Sequence, residues 1–198
     1  MGRARVHLQP TDQPRAALVL GHGAGGGVQA RDLVAAAAAA FSEGMSVALV
    51  EQPYRVAGRR SPVPAKQLDA AWVEVIARLG DNELAGLPLL VGGRSSGARV
   101  ACRTADSTGA IAVLCLAFPL QPPRRAGAAP APSRLGELDA VAVPTLVVQG
   151  SGDRFGIPPI AERRAVVVVP GDHSLRTDPA AVEAAVGNWL AEVLTGPA

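Results

Sequence analysis

The sequence predicts a single α/β domain over residues 1–198, built on a mostly parallel, doubly wound sheet with helices on both faces. Three observations predict it. Apolar, β-branched runs recur at 16–20, 46–50, 87–91, 110–116, 145–149 and 165–169, each short and continuous enough to be a strand buried on both sides. Helical stretches at 32–43, 66–79, 96–104 and 179–194 separate most of these runs or follow the last. With 48% hydrophobic and 18% charged residues, 198 residues suffice for one real core and lie outside the high-charge, low-hydropathy regime of disorder.

Within that frame each segment has a local reason. The first helical stretch contains the alanine run 35–40, low in complexity but made of the best helix former and bounded by Asp32 and Gly44, so it reads as a packed helix. Between 119 and 144, Pro122, Pro123, Gly127, Pro130 and Pro132 punctuate a loop with room for one short helix near 134–139. Residues 1–10 form a polar segment with Arg3, Arg5 and His7 and no apolar stretch of the ~7–15 residues that a secretory signal needs, which makes the cytoplasm the expected location. The most apolar window, 33–41, is far short of the ~20 residues of a membrane span, so no membrane partner is expected.

Nineteen basic residues against 17 acidic ones leave a net charge of +2 without a dense basic block, and nucleic acid is not an expected partner. Cys102 and Cys115 have no CxxC or Cys/His spacing around them and read as packed thiols, not as metal ligands or a disulfide framework.

In a sheet of this kind, chemistry belongs to the loops at the carboxyl ends of strands. The run at 87–91 leads into Gly93-Arg94-Ser95-Ser96-Gly97, a G-x-S-x-G pattern at a strand-to-helix junction, where the turn is too tight for side chains at the glycines and projects the serine hydroxyl. A hydroxyl is a weak nucleophile near neutrality, so Ser95 needs an imidazole as base and that imidazole needs a carboxylate to fix its tautomer. His173, in Gly171-Asp172-His173 after the last strand, and Asp153, in Gly150-Ser151-Gly152-Asp153 after the preceding one, complete the chain order Ser, Asp, His. Asp153 is preferred to Asp172 because a residue adjacent to the histidine in an extended loop points away from its ring.

The first strong strand ends in Gly21-His22-Gly23-Ala24-Gly25-Gly26-Gly27, whose backbone N–H groups can turn toward a developing oxyanion, with Ala24 and Ser96 as the donors. His22 then reads as ordering this loop rather than as the base, and it is also a candidate substrate contact; Arg94 and Arg154 are candidate substrate-binding cations, together with Arg124, Arg125, Arg55, Arg59 and Arg60 near the same crevice. Solvated arginines of a biased composition are the alternative. The glycine loop also satisfies G-x-G-x-x-G with Glu51 at the end of the next strand, a dinucleotide-binding alternative. Against it, the following helix begins several residues past the last glycine, too far to cradle a pyrophosphate.

The elbow, the His-Gly oxyanion loop, Gly150-x-x-Asp153 and Gly171-x-His173 together resemble the α/β-hydrolase superfamily over nearly the whole chain. More narrowly, Gly-His-Gly-Ala-Gly-Gly, Gly-Gly-Arg-Ser-Ser-Gly-Ala-Arg, Phe118-Pro119-Leu120 and Asp153-Arg154-Phe155-Gly156 resemble a small, cap-less bacterial group similar to the testis-expressed-thirty protein and to dienelactone-hydrolase-like enzymes. The resemblance implies Ser95 as nucleophile, Asp153 as acid, His173 as base and the Ala24 and Ser96 amides as oxyanion donors. It implies a small-molecule substrate, cleavage of an ester, thioester or amide, and no metal or organic cofactor. Dienelactone hydrolases proper carry a cysteine where this chain has Ser95. Some relatives in the group serve as interaction subunits, so a non-catalytic binding protein on the same fold is the alternative function.

Overall fold

The computed structural model describes residues 2–122, 129 and 131–195. Its strands are β1 (Arg5–Gln9), β2 (Ala17–Gly21), β3 (Ser46–Glu51), β4 (Leu89–Arg94), β5 (Ala112–Leu116), β6 (Thr145–Gly150) and β7 (Arg164–Val169). The helices are α1 (Arg31–Ser42), α2 (Pro53–Val56), α3 (Ala65–Asp81), α4 (Ser96–Thr104), α5 (Leu135–Asp139) and α6 (Pro179–Thr195). The strands form one seven-stranded sheet in the order β1-β3-β2-β4-β5-β6-β7, parallel throughout except that β1 runs antiparallel to β3.

Because successive strand residues face opposite ways, the central strands divide cleanly between two cores. Leu18 and Leu20 of β2, Leu49 of β3, Leu114 of β5 and Val148 of β6 meet α1 and α6 on one face. Ala17 and Val19, Val50, Val113 and Val147 meet α3, α4 and α5 on the other, where Trp72 and Ile76 of α3 fill the space. The alanine run is the packed helix expected: Ala36 and Ala40 are fully buried in the core that α1 shares with α6. Cys102 of α4 and Cys115 of β5 are packed thiols with their sulfurs 3.4 Å apart.

Two strands depart from the expectation. The run at 165–169 is not buried on both sides, because β7 is an edge strand with Val168 48% exposed. The polar segment at the start of the chain contains β1, an edge strand paired with β3 through Val6↔Val50 and Leu8↔Ala48. Val6 and Leu8 pack toward α3, while Arg5, His7 and Gln9 alternate outward. Only two of the five residues of this edge strand, Val6 and Leu8, are apolar, so hydropathy alone reads it as polar. Its outer side is held by Glu51, which accepts from Arg5 Nη1 at 3.3 Å and meets His7 Nε2 at 3.2 Å.

Registers Gly21↔Gly93, Arg94↔Leu116 and Gly150↔Val169 bring the carboxyl ends of five strands onto one edge of the sheet. Strand order reverses between β2 and β4, the switch point where such sheets open a crevice. The glycine loop after β2 and the elbow after β4 therefore lie side by side. Between β5 and β6 the described chain carries only α5, and no large cap covers this edge.

Candidate active site

Ser95 stands between β4 and α4 with φ 52° and ψ −105°, a conformation that L-residues rarely adopt and that costs on the order of 1–3 kcal/mol. Its N–H donates to Leu116 O at 2.9 Å, which fixes the turn to β5. The glycines of the motif have a steric cause: a Cβ at Gly93 or at Gly97 would run into the Gly21 carbonyl oxygen, and one at Gly97 would also stand 2.6 Å from Gly21 C. The backbone of β2 thus passes directly against the elbow.

His173, on the loop after β7, brings Nε2 to 2.9 Å from Ser95 Oγ and Nδ1 to 2.7 Å from Asp153 Oδ2. The Asp153 side chain is fully buried, and its other oxygen, Oδ1, accepts from Phe155 N at 2.9 Å. The neutral tautomer consistent with these contacts carries its proton on Nδ1, donates it to Asp153 and accepts the Ser95 hydroxyl at Nε2. The Phe155 ring packs against His173 with centroids 4.3 Å apart. Asp172 turns away: its Oδ1 accepts from Ser174 N at 2.8 Å, and the hydrogen bonds from Ser174 hold its carboxyl below the ordinary carboxylate range.

The glycine loop is braced from behind. Gly26 N donates to Gly23 O at 3.2 Å, and the Tyr54 hydroxyl donates to Ala24 O at 2.9 Å, orienting the peptides on both sides of Ala24. Ser96 N is the first amide of α4, at the positive end of its dipole.

Two of the three candidate substrate-binding side chains are otherwise engaged. His22 is buried, with Nδ1 donating to Gly23 O at 2.8 Å and Nε2 accepting from Gln52 N at 3.1 Å, so both ring nitrogens serve the main chain. Burial also pushes its pKa below the usual histidine value and keeps the ring neutral. The two contacts brace the glycine loop against the chain leaving β3. Arg94 points inward: Nε forms an ion pair at 2.9 Å with the fully buried Asp32 in the first turn of α1, and Nη2 donates to His173 O at 2.9 Å. A cation adjacent to a serine suggests anion binding, but its partner here is a carboxylate of the chain itself. The same Asp32 puts a negative charge at the start of α1, where the dinucleotide alternative needs a pyrophosphate.

Arg154 is the exposed member, with its guanidinium carbon 5.1 Å from the centroid of the Phe155 ring that packs on His173. Arg59 and Arg60 are exposed beyond α2, and Arg124 and Arg125 lie outside the described residues.

Sequence reasoning passed over Gln149 and Phe155. Gln149 is fully buried at the end of β6 and donates to Asp153 Oδ2 at 2.7 Å. A polar residue closing the otherwise apolar run Leu146–Val148 was its signal, because a buried amide needs partners.

A seven-stranded, mostly parallel sheet with a strained serine turn at its switch point and no large cap is an α/β hydrolase fold. The chain belongs to the alpha/beta hydrolase domain family, whose model matches residues 14–189. Among solved structures it is similar to Est1E from Butyrivibrio proteoclasticus, with a TM-score of 0.77 at 15% identity over 98% of this chain and 95% of that one. It is similar to XC6422 from Xanthomonas campestris, described as an α/β serine hydrolase without lid, with a TM-score of 0.73 at 16% identity over 98% and 91% of the two chains. A dienelactone hydrolase from Anabaena variabilis superposes with a TM-score of 0.71 at 16% identity over 96% and 91%. At such identities the likeness is one of fold. A search of curated protein sequences gives no significant match. Among the described residues, no helix is long and apolar enough to cross a membrane, and no group of three or more His, Cys, Asp or Glu side chains could hold a metal ion.

Proposed function

We propose that this chain is a serine hydrolase that cleaves a small ester, thioester or amide through an acyl-enzyme on Ser95. The observation that carries the reading is the continuous hydrogen-bond chain from Ser95 Oγ through His173 to the buried Asp153, at 2.9 and 2.7 Å. As Oγ attacks the substrate carbonyl, His173 Nε2 takes its proton, and Asp153 stabilises the imidazolium that results. The oxygen of the tetrahedral intermediate accepts from the Ala24 and Ser96 amides, an interaction worth roughly 100- to 1000-fold in rate per donor. His173 then returns the proton to the leaving group. Water repeats the sequence in the second half-reaction and releases the acid.

Among the described residues the β5–β6 connection carries only the five-residue helix α5, which supports a small substrate over a long acyl chain that a helical cap would enclose. Arg154, exposed and one aromatic ring from His173, is the side chain positioned to draw a carboxylate or phosphate of the substrate toward the site.

Labelling with a fluorophosphonate probe tests the reaction class, because an activated serine reacts rapidly and an ordinary one does not. The protein is expected to label at Ser95, and Ser95→Ala is expected to abolish labelling and ester hydrolysis with an unchanged melting temperature. Full labelling of Ser95→Ala overturns the assignment. A folded wild-type protein that neither labels nor turns over activated esters overturns it in favour of the non-catalytic binding protein.

A further inference from the structure

The side chain of Gln149 is enclosed at the carboxyl end of β6 and takes no part in the proton transfers above. Its Nε2 lies 2.7 Å from Asp153 Oδ2, 2.9 Å from Gly156 O and 3.1 Å from Phe118 O. All three neighbours are acceptors, which dictates that the amide nitrogen and not the oxygen points at them. Its own Oε1 is buried with no hydrogen-bond donor among the described residues. Leaving that oxygen unpaired opposes folding, so the contribution of Gln149 lies at its donor end.

We propose that Gln149 is a positioning residue, which holds the Asp153 carboxylate, and through it the His173 ring, in line with Ser95. The inference rests on the Ser95–His173–Asp153 reading of the site. Asp153 Oδ2 is the same oxygen that receives His173 Nδ1, so the amide and the imidazole approach one atom from two sides. Phe118 O belongs to the chain leaving β5 and Gly156 O to the loop that carries Asp153. The amide therefore ties the acid loop to the sheet. Without it, two carbonyl oxygens and a carboxylate converge with no hydrogen between them, and the acid loop is pushed outward. The other charged groups near His173 are directed elsewhere: Asp172 to Ser174, Arg94 to the His173 carbonyl and to Asp32, and Arg154 across the Phe155 ring.

The test compares wild type with Gln149→Met, of similar length without a donor, and Gln149→Glu, of the same shape with a donor only while protonated. Each is followed by melting temperature, by kcat and KM on a p-nitrophenyl ester, and by the pH profile of fluorophosphonate labelling. Gln149→Met is expected to lower kcat roughly 10- to 100-fold by displacing the acid while leaving KM within about twofold. Gln149→Glu is expected to keep activity while its new carboxyl is protonated and to lose it as that carboxyl ionises, a descending limb that wild type lacks in that pH range. If Gln149→Met keeps the wild-type kcat, or loses kcat and raises KM together in step with a lower melting temperature, the proposal fails. If Gln149→Met does not fold, a wild-type pH profile for Gln149→Glu overturns the proposal. A wild-type protein that does not label at Ser95 overturns the underlying reading, a result distinct from either of these.

Discussion

Replacing Arg94 with methionine removes a cation from beside a carboxylate that water cannot reach. The Asp32 side chain is fully buried and pairs with Arg94 Nε at 2.9 Å, and Arg94 itself is 17% exposed. Breaking such a pair from one side costs about 3–5 kcal/mol, since the remaining charge stays buried without compensation. A domain of this size loses roughly 2–4 °C of melting temperature per kcal/mol, so Arg94→Met is expected to melt about 6–20 °C lower near neutral pH.

The deficit depends on pH with a definite sign. Burial already raises the Asp32 carboxyl above its ordinary 3.8, and the Arg94 charge acts to lower it. A carboxyl whose folded pKa is raised costs stability as pH climbs from the unfolded value through the folded one. Removing Arg94 raises the folded value further. The deficit is therefore largest above that raised value and shrinks as pH is lowered through it, because the folded carboxyl then takes up a proton and no charge is left stranded. Thermal or urea melts of wild type, Arg94→Met and the double variant Asp32→Asn/Arg94→Met between about pH 4 and pH 8 check this. The double variant has no charge to strand and retains an Oδ1 for the Leu33 N–H, so it is expected to recover most of the loss. A deficit equal at every pH, or a double variant no more stable than Arg94→Met, refutes the reasoning.

Two further outcomes follow from the same geometry. Asp153→Asn is expected to reduce kcat by several orders of magnitude through the wrong His173 tautomer, while Asp172→Asn, whose carboxylate bonds to Ser174, changes it less than about tenfold; the reverse ranking in steady-state kinetics would reassign the acid. Across p-nitrophenyl esters from acetate to palmitate, kcat/KM is expected to peak at short chains, and Arg154→Ala is expected to remove any salt-sensitive preference for an acidic ester over a neutral one of equal length. A maximum at palmitate, or an acidic-ester preference untouched by Arg154→Ala, would count against the open site or against Arg154 respectively.

What the sequence by itself determined was everything with a local cause. Continuous apolar runs marked the six parallel strands; five of them are covered on both faces and have no solvent side to advertise, while β7 is a partly exposed edge strand with an apolar run. The Gly93-x-Ser95-x-Gly97 turn was legible because a strand, a reversal too tight for a Cβ and a helix start occupy a few consecutive residues. That His173 and Asp153 lie on the same edge as Ser95 was legible from their places at strand exits, since consecutive parallel strands deliver their exits to one edge. Tertiary structure decided the rest, where a residue's role is set by a partner distant in the chain. β1 is a strand because β3 pairs with it and Val6 and Leu8 pack, half-buried, against the core on that face, none of which its own polar alternation announces. Whether Arg94 faces a ligand or the protein depends on a carboxylate buried at the start of α1. His22 loses both ring nitrogens to Gly23 and to Gln52, the latter brought beside it by the β2–β3 pairing. Gln149 acquires a purpose only when the exits of β5 and β6 close around it. Backbone propensity and hydrophobic period act over a few residues, but electrostatic and hydrogen-bond partners of buried polar groups are chosen by the packed fold, because only there does an unpaired charge or amide carry a penalty.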